Sequence, residues 1–154
     1  MATSQQYRIQ AFEPRYTDQV TELWRVSMQQ AIGIPPLHSF ESQAYFLREL
    51  LPQSHRLFVA IEIETGESVG FMAADSKSIN QLYIHIDHQN RGLGRAFVEL
   101  AKGSSEGSLQ LRTFEVNKNA QRFYQRHGFK AIGGDCDNEE GLPDILYQWR
   151  AVDS

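Results

Sequence analysis

The sequence predicts an α/β fold (α+β by some schemes), with a mixed sheet of about six to seven strands flanked by about four helices in a single domain over residues 1–154. Three observations carry that prediction. Short apolar runs that alternate with polar residues, or are bounded by turn residues, recur along the chain at strand length. Other stretches repeat apolar residues every three or four positions, the period of an amphipathic helix. In the second half the two kinds interleave, so each strand returns to the sheet across a helix. That connection implies that at least part of the sheet is parallel.

The elements follow in order. Tyr7, Ile9 and Ala11 alternate with polar residues and form a first strand. A helix begins at Thr17-Asp18, where Val20, Leu23, Trp24, Ser27 and Met28 keep helical spacing until Gly33-Ile34-Pro35-Pro36 breaks it. Residues 39–51 form a second helix, with Phe40, Ala44, Leu47 and Leu51 on one stripe and Pro52 as its stop. Residues 56–63 and 68–74 are strands joined by the turn Glu64-Thr65-Gly66-Glu67, a hairpin signal. Residues 79–86 are another strand. Leu93, Ala96, Phe97, Leu100 and Ala101 give a third helix one wide apolar face, and residues 103–108 are the most loop-like connection. Residues 109–116 alternate as a strand. Asn117 caps a short helix over residues 118–127 that Gly128 ends. Residues 129–132 and 145–150 supply the last two strands.

Composition narrows the function classes. A chain of 154 residues can bury roughly 68–70% of its unfolded surface, enough for a core without staples. Net charge is −4 and no tract of Lys or Arg is present, which argues against nucleic acid as a partner. No stretch approaches the ~20 apolar residues of a membrane span, and the polar start, residues 1–10, has no apolar segment of a secretory signal. The single cysteine, Cys136, allows no internal disulfide and no cysteine cluster for a metal. The expected setting is a reducing cytoplasm. The expected state is monomer or homodimer.

The segment Gln89-Asn90-Arg91-Gly92-Leu93-Gly94-Arg95 is the most informative stretch. It follows an apolar run (Leu82, Tyr83, Ile84, His85, Ile86) and opens the third helix. Amides at a helix N-terminus lack internal acceptors, and the helix dipole favours negative charge there. Gly92 and Gly94 have no Cβ, so a phosphate can approach the main chain. Alone, such a turn is equally well explained by backbone geometry. It lacks the Lys-Ser/Thr of a P-loop and the spacing of a dinucleotide fingerprint, which disfavours ATP or NAD.

A second segment, residues 117–129, changes the weighing. The loop before the helix resembles the Gln/Arg-x-x-Gly-x-Gly/Ala motif of the GNAT superfamily of acyl-CoA N-acyltransferases, with Gln89, Gly92 and Gly94 in place. The later segment is similar to that family's Asn…Ala…Phe-Tyr…Gly-Phe pattern, carried here by Asn117, Ala120, Phe123-Tyr124 and Gly128-Phe129. Leu23-Trp24 and Val69-Gly70-Phe71-Met72 point toward the small single-domain bacterial members. Two common family positions differ: Ile86 stands where many members have Pro, and Asn90 where many have Gly.

The resemblance implies a set of roles. Acetyl-CoA would be the acyl donor, with no metal and no covalent enzyme intermediate. The acceptor would be a primary amine, on a small molecule or on a protein lysine or N-terminus. Main-chain groups around Tyr83, those of Leu82 and Ile84, would pair with the pantetheine arm as a pseudo-strand. Amides from Gln89 through Asn90, Arg91, Gly92, Leu93 and Gly94 to Arg95 would hold the pyrophosphate, with Arg91 and Arg95 adding charge. Asn117, with Ala120 beside it, would contact the cofactor near its thioester. Tyr124, two helical turns on, would protonate the departing thiolate. An inactive CoA-binding module on the same fold is the competing reading.

For the base that accepts the amine proton, the sequence offers Glu22, His38, Asp75, Ser78, Asn80 and His85, with water as an alternative. Residues 31–40 and 135–144 are expected to shape the acceptor site. The second holds Asp135, Asp137, Glu139, Glu140 and Asp144. Its charge could attract an amine, although a solvated acidic loop is the plainer expectation.

Overall fold

Seven strands and four helices follow one another in the computed structural model, which describes residues 6–152. Residues 1–5, part of the polar start read above, lie outside the described residues. Strands β1 (Tyr7–Ala11), β2 (Arg56–Glu62), β3 (Ser68–Ala74) and β4 (Ile79–Ile84) form one antiparallel sheet in sequence order. Strands β5 (Ser108–Phe114), β6 (Lys130–Gly133) and β7 (Asp144–Arg150) form another, in the order β5-β7-β6, also antiparallel.

The expected parallel section shrinks to one bridge, between Ser78 and Gln110, with the Gln110 N–H on the Lys77 carbonyl at 2.9 Å. The crossover through helix α3 (Leu93–Gly103) does send β4 and β5 off side by side. They meet only where Ser78, just ahead of β4, bridges Gln110, the third residue of β5, and then part, so no ladder forms. The divergence divides the sheet and opens a wedge between the two strands.

Helix α1 (Thr17–Ile32) ends where Gly33 takes a left-handed φ of 77°, which glycine adopts without a Cβ clash. Helix α2 (Phe40–Tyr45) starts on Ser39, whose hydroxyl accepts the Ser42 N–H. It then widens over Phe46–Leu50, where the Leu51 N–H reaches back five residues to the Phe46 carbonyl. The widening lies just before Pro52, whose ring cannot stack on the carbonyl four residues earlier in a regular turn. The sequence periodicity ran through this distortion as one helix.

The apolar stripes bury as expected. Phe97, Val98 and Ala101 of α3 pack with Leu109, Phe129 and Tyr147 on one side of the strands. Val20, Leu23 and Trp24 of α1 pack with Leu47, Val59 and Phe71 on the other. Burying a side chain the size of Phe97 or Phe71 is worth about 1.5–3 kcal/mol. The α1 stripe leaves the core toward its C-terminal end, where Met28 is only half-buried and faces the wedge.

Candidate active site

The wedge is a cleft of about 840 Å³. One wall is β4, the other β5 and the start of helix α4 (Lys118–Arg126), and its mouth lies between the α1–α2 and β6–β7 loops. Backbone register decides what β4 offers. Its residues pair with β3 as Gly70↔Ile84, Phe71↔Tyr83 and Met72↔Leu82, and the His85 N–H donates to the Val69 carbonyl at 2.9 Å. Antiparallel bonding alternates along a strand. Gln81 and Tyr83 therefore bond to β3, while Leu82 and Ile84 turn their peptide groups to the open edge. The Ile84 carbonyl is bonded off the ladder, by the Gln89 side chain at 3.1 Å.

The glycine loop lies beyond one end of this edge. Asn90 has φ 63° and Gly92 φ 87°. Asparagine tolerates the left-handed region better than other side chains, which is why it can stand at a position that also suits glycine. Ile86 opens a short 3-10 turn at a position that also suits proline. The first helical bond of α3 joins the Ala96 N–H to the Gly92 carbonyl at 3.0 Å, leaving the amides of Leu93, Gly94 and Arg95 ahead of it.

The glycines divide their work differently from the sequence expectation. A Cβ on Gly92 would meet nothing within 4 Å, so this residue does leave the main chain approachable. A Cβ on Gly94 would stand 2.9 Å from the Phe123 ring, so its missing side chain admits α4 rather than a ligand. Leu93 is buried in the core. Arg91 donates to the Tyr7 hydroxyl at 3.3 Å, and Arg95 pairs with Glu99 at 3.0 Å. The loop residues 89–95 and Ile84 lie outside the cleft lining; Leu82, Tyr83, Asn117, Ala120 and Tyr124 lie in it.

Asn117 caps α4, its Oδ1 accepting the Ala120 N–H at 3.2 Å. The side-chain amide nitrogen makes no hydrogen bond among the described residues, so capping leaves a donor for the cleft. Tyr124 is 8% exposed, with its ring against Phe123, Phe129 and Tyr147. No described group hydrogen-bonds its hydroxyl, and that oxygen is not sealed from solvent. Burial, with Tyr83 adding a smaller effect, pushes its pKa well above that of an ordinary phenol. The group is a neutral donor facing the cleft.

Across the wedge, the Tyr83 hydroxyl donates to the Met28 sulfur at 3.2 Å. Burial raises its pKa too; the Trp24 side chain opposes the shift and the Glu140 charge adds to it. Trp24 and Met28 were read as a helix stripe, and Leu23-Trp24 as a resemblance to the bacterial members, but neither as a site residue; their i, i+4 spacing is the signal that they share a face, but only the wedge shows what that face meets.

The base candidates separate. His38 and Asn80 line the cleft; Glu22, Asp75, Ser78 and His85 do not. Asp75 closes the β3–β4 turn. Burial alone would raise its pKa, but bonds from the Lys77 and Ser78 amides and the Ser78 hydroxyl outweigh this and lower it. Ser78 is consumed by that turn. His85 accepts the Asp87 N–H. The acidic loop is not simply solvated, because Glu139, Glu140 and Asp144 line the cleft. Glu139 reaches across the mouth to His38 at 2.8 Å, and buried Asp144 pairs with Arg112 at 3.0 Å. No group of His, Cys, Asp and Glu among the described residues is arranged to hold a metal. No described helix is long and apolar enough to cross a membrane.

The acetyltransferase (GNAT) domain profile matches residues 53–131, about half of the chain. The chain is 30% identical over 132 residues to the peptidyl-lysine N-acetyltransferase YjaB of Salmonella typhimurium, covering 82% of this chain and 85% of that protein. It is 33% identical over 117 residues to YjaB of Escherichia coli, covering 72% and 78%. The solution structure of apo-form YjaB from Escherichia coli superposes with a TM-score of 0.75 at 23% identity, over 95% of this chain and 99% of that one, and so shares the fold. By the domain match and these relatives, the chain belongs to the GNAT family of acetyl-CoA-dependent N-acetyltransferases.

Proposed function

We propose that this protein acetylates lysine side chains of other proteins, by direct transfer from acetyl-CoA within a ternary complex. The observation that carries the reading is the wedge, in which an open strand edge and an unbonded tyrosine hydroxyl share one cleft with room for a second substrate. The peptidyl-lysine acetyltransferases among the relatives support the choice of acceptor.

The amides of the pantetheine arm pair with the outward peptide groups of Leu82 and Ile84, as an added strand would. The amides of residues 89–95 take the pyrophosphate, and the open space at Gly92 lets it approach. Asn117 donates its side-chain amide near the thioester. The free amine of the acceptor attacks the thioester carbonyl; the C–S bond breaks, and the Tyr124 O–H protonates the leaving sulfur. The raised pKa keeps this proton in place until a thiolate forms. We place the reaction in the cytoplasm.

Incubation with acetyl-CoA and a panel of amines tests this. A lysine peptide, a lysine-free peptide with a free N-terminus, and a polyamine serve as acceptors. Thiol release with the acetyl group mapped by mass spectrometry to the lysine side chain is the expected result. Turnover of the polyamine alone, or of the lysine-free peptide alone, overturns the acceptor assignment.

The strand edge can be tested separately. Leu82→Pro removes an amide that faces outward, so the β3–β4 ladder survives. One lost hydrogen bond, about 0.5–1.5 kcal/mol, should weaken CoA binding about 2- to 10-fold relative to Leu82→Ala, which keeps the amide. Calorimetry with CoA reads this. Equal affinities of the two variants would remove Leu82 from the pantetheine site.

A further inference from the structure

The β6–β7 loop gives two adjacent carboxylates different surroundings. Its tip is a tight turn in which the Gly141 N–H donates to the Asn138 carbonyl at 3.1 Å. The Asn138 side chain clamps Leu142, donating to its carbonyl at 2.8 Å and accepting its N–H at 3.3 Å. Glu139 and Glu140 are the two central residues. Glu139 is exposed and takes His38 across the mouth. Glu140 is half-buried and lines the cleft, near enough to the Tyr83 phenol for its charge to be felt there. Among the described residues it has no cationic partner and no hydrogen-bond donor.

The other charged or titratable groups facing the cleft are bonded or stay neutral. Asp144, the first residue of β7, is held by Arg112 of β5 and by the Asp135 N–H, each at 3.0 Å. Arg25 of α1 donates to the His38 carbonyl at 2.6 Å and to the Gln43 side chain at 3.0 Å. Tyr83 of β4 and Tyr124 of α4 stay protonated. Glu140 is the one carboxylate lining the described cleft with neither oxygen hydrogen-bonded or ion-paired.

We propose that Glu140 is the general base that removes a proton from the acceptor ammonium. This rests on the acetyl-transfer reading above. The ammonium enters between the acidic loop and the apolar α1–α2 wall, and a Glu140 oxygen takes one N–H proton, directly or through one water. The nitrogen lone pair so freed forms the bond to the acetyl carbon. The C–S electron pair leaves on sulfur, which receives the Tyr124 proton. The second N–H proton and the one on Glu140 pass to solvent, and water reprotonates Tyr124.

The test compares wild type, Glu140→Gln, Glu140→Asp and Asp137→Asn on whichever amine of the panel wild type acetylates. Asp137 carries the same charge on the same loop but does not line the cleft. Glu140→Gln should lose about 10²-fold in kcat at neutral pH. Its residual rate should climb about tenfold per pH unit, as unaided deprotonation supplies the free amine. Glu140→Asp should recover part of the loss, and Asp137→Asn should stay within about 3-fold of wild type. CoA affinity, measured by calorimetry, should be unchanged in all and reports that they fold. The proposal is overturned if Glu140→Gln stays within about 3-fold with the wild-type pH profile, or if its loss lies only in KM for the amine. Activity confined to small amines overturns the peptide acceptor and leaves the Glu140 comparison intact; wild type that binds CoA but acetylates no amine overturns both.

Discussion

Replacing Tyr124 by phenylalanine is expected to lower kcat by about 10²-fold or more while leaving CoA affinity and thermal stability close to wild type. The substitution is clean because the ring and the hydroxyl do different things. The ring is part of the core, 5.1 Å from Phe123 and 5.6 Å from Phe129 between centroids, and phenylalanine keeps those edge contacts. The hydroxyl bonds to no described group, so its loss strands no buried partner. What disappears is a proton facing the cleft, where the proposed transfer would form a thiolate. Because burial raises the pKa, the phenol stays protonated through and above neutral pH, so wild-type activity should show no alkaline loss attributable to Tyr124 up to about pH 10. Steady-state thiol release and calorimetry with CoA check both halves. An unchanged kcat removes Tyr124 from acid catalysis; a large fall in CoA affinity makes it a binding group instead.

The site was legible where one local signal implies one local structure. Asn117 ahead of an amphipathic run is a cap, and a residue seven positions later shares its side of the helix, so the sequence alone pairs Asn117 with Tyr124. The glycine loop was placed by the strand before it and the stripe after it. Signals that depend on register or on distant chain were silent. Nothing in Leu82-Tyr83-Ile84 says which peptide groups face outward; the pairing with β3 decides that. Gly92 and Gly94 look alike in sequence, but only Phe123, thirty residues on, shows that Gly94 serves packing. The acidic loop looked uniform, yet Glu139 meets His38, Asp135 and Asp144 meet Arg112, and Asp137 and Glu140 meet neither. The parallel pairing inferred from the strand–helix alternation was nearly lost because connection order fixes direction but not how far two strands stay together.

Gly133 and Gly134 carry the same lesson into a prediction: Gly134→Ala should destabilise the protein by about 2–4 kcal/mol, and Gly133→Ala should be nearly neutral. Both glycines sit where β6 ends and the Glu140 loop begins. A Cβ on Gly133 meets nothing within 4 Å. A Cβ on Gly134 would overlap the Asp144 carbonyl oxygen, and would lie 3.1 Å from the Asp144 carbonyl carbon and 3.1 Å from the Ile145 Cα. These are backbone atoms, so no rotamer change relieves the clash; the two stems of the loop must separate. Those stems are tied by the Asp144 N–H on the Asp135 carbonyl at 2.7 Å and the Asp135 N–H on the Asp144 carboxylate at 3.0 Å. Spreading them also strains the Arg112–Asp144 pair. For a chain of this size the cost corresponds to a Tm roughly 5–15 °C lower, against a shift under about 2 °C for Gly133→Ala. Thermal melts by circular dichroism read both. The same spreading moves the turn that carries Glu140, so kcat should fall in Gly134→Ala even well below its Tm, where the chain is folded. A Gly134→Ala protein with wild-type Tm and wild-type kcat would show that the stems can part freely, and the placement of Glu140 would then not depend on their contact.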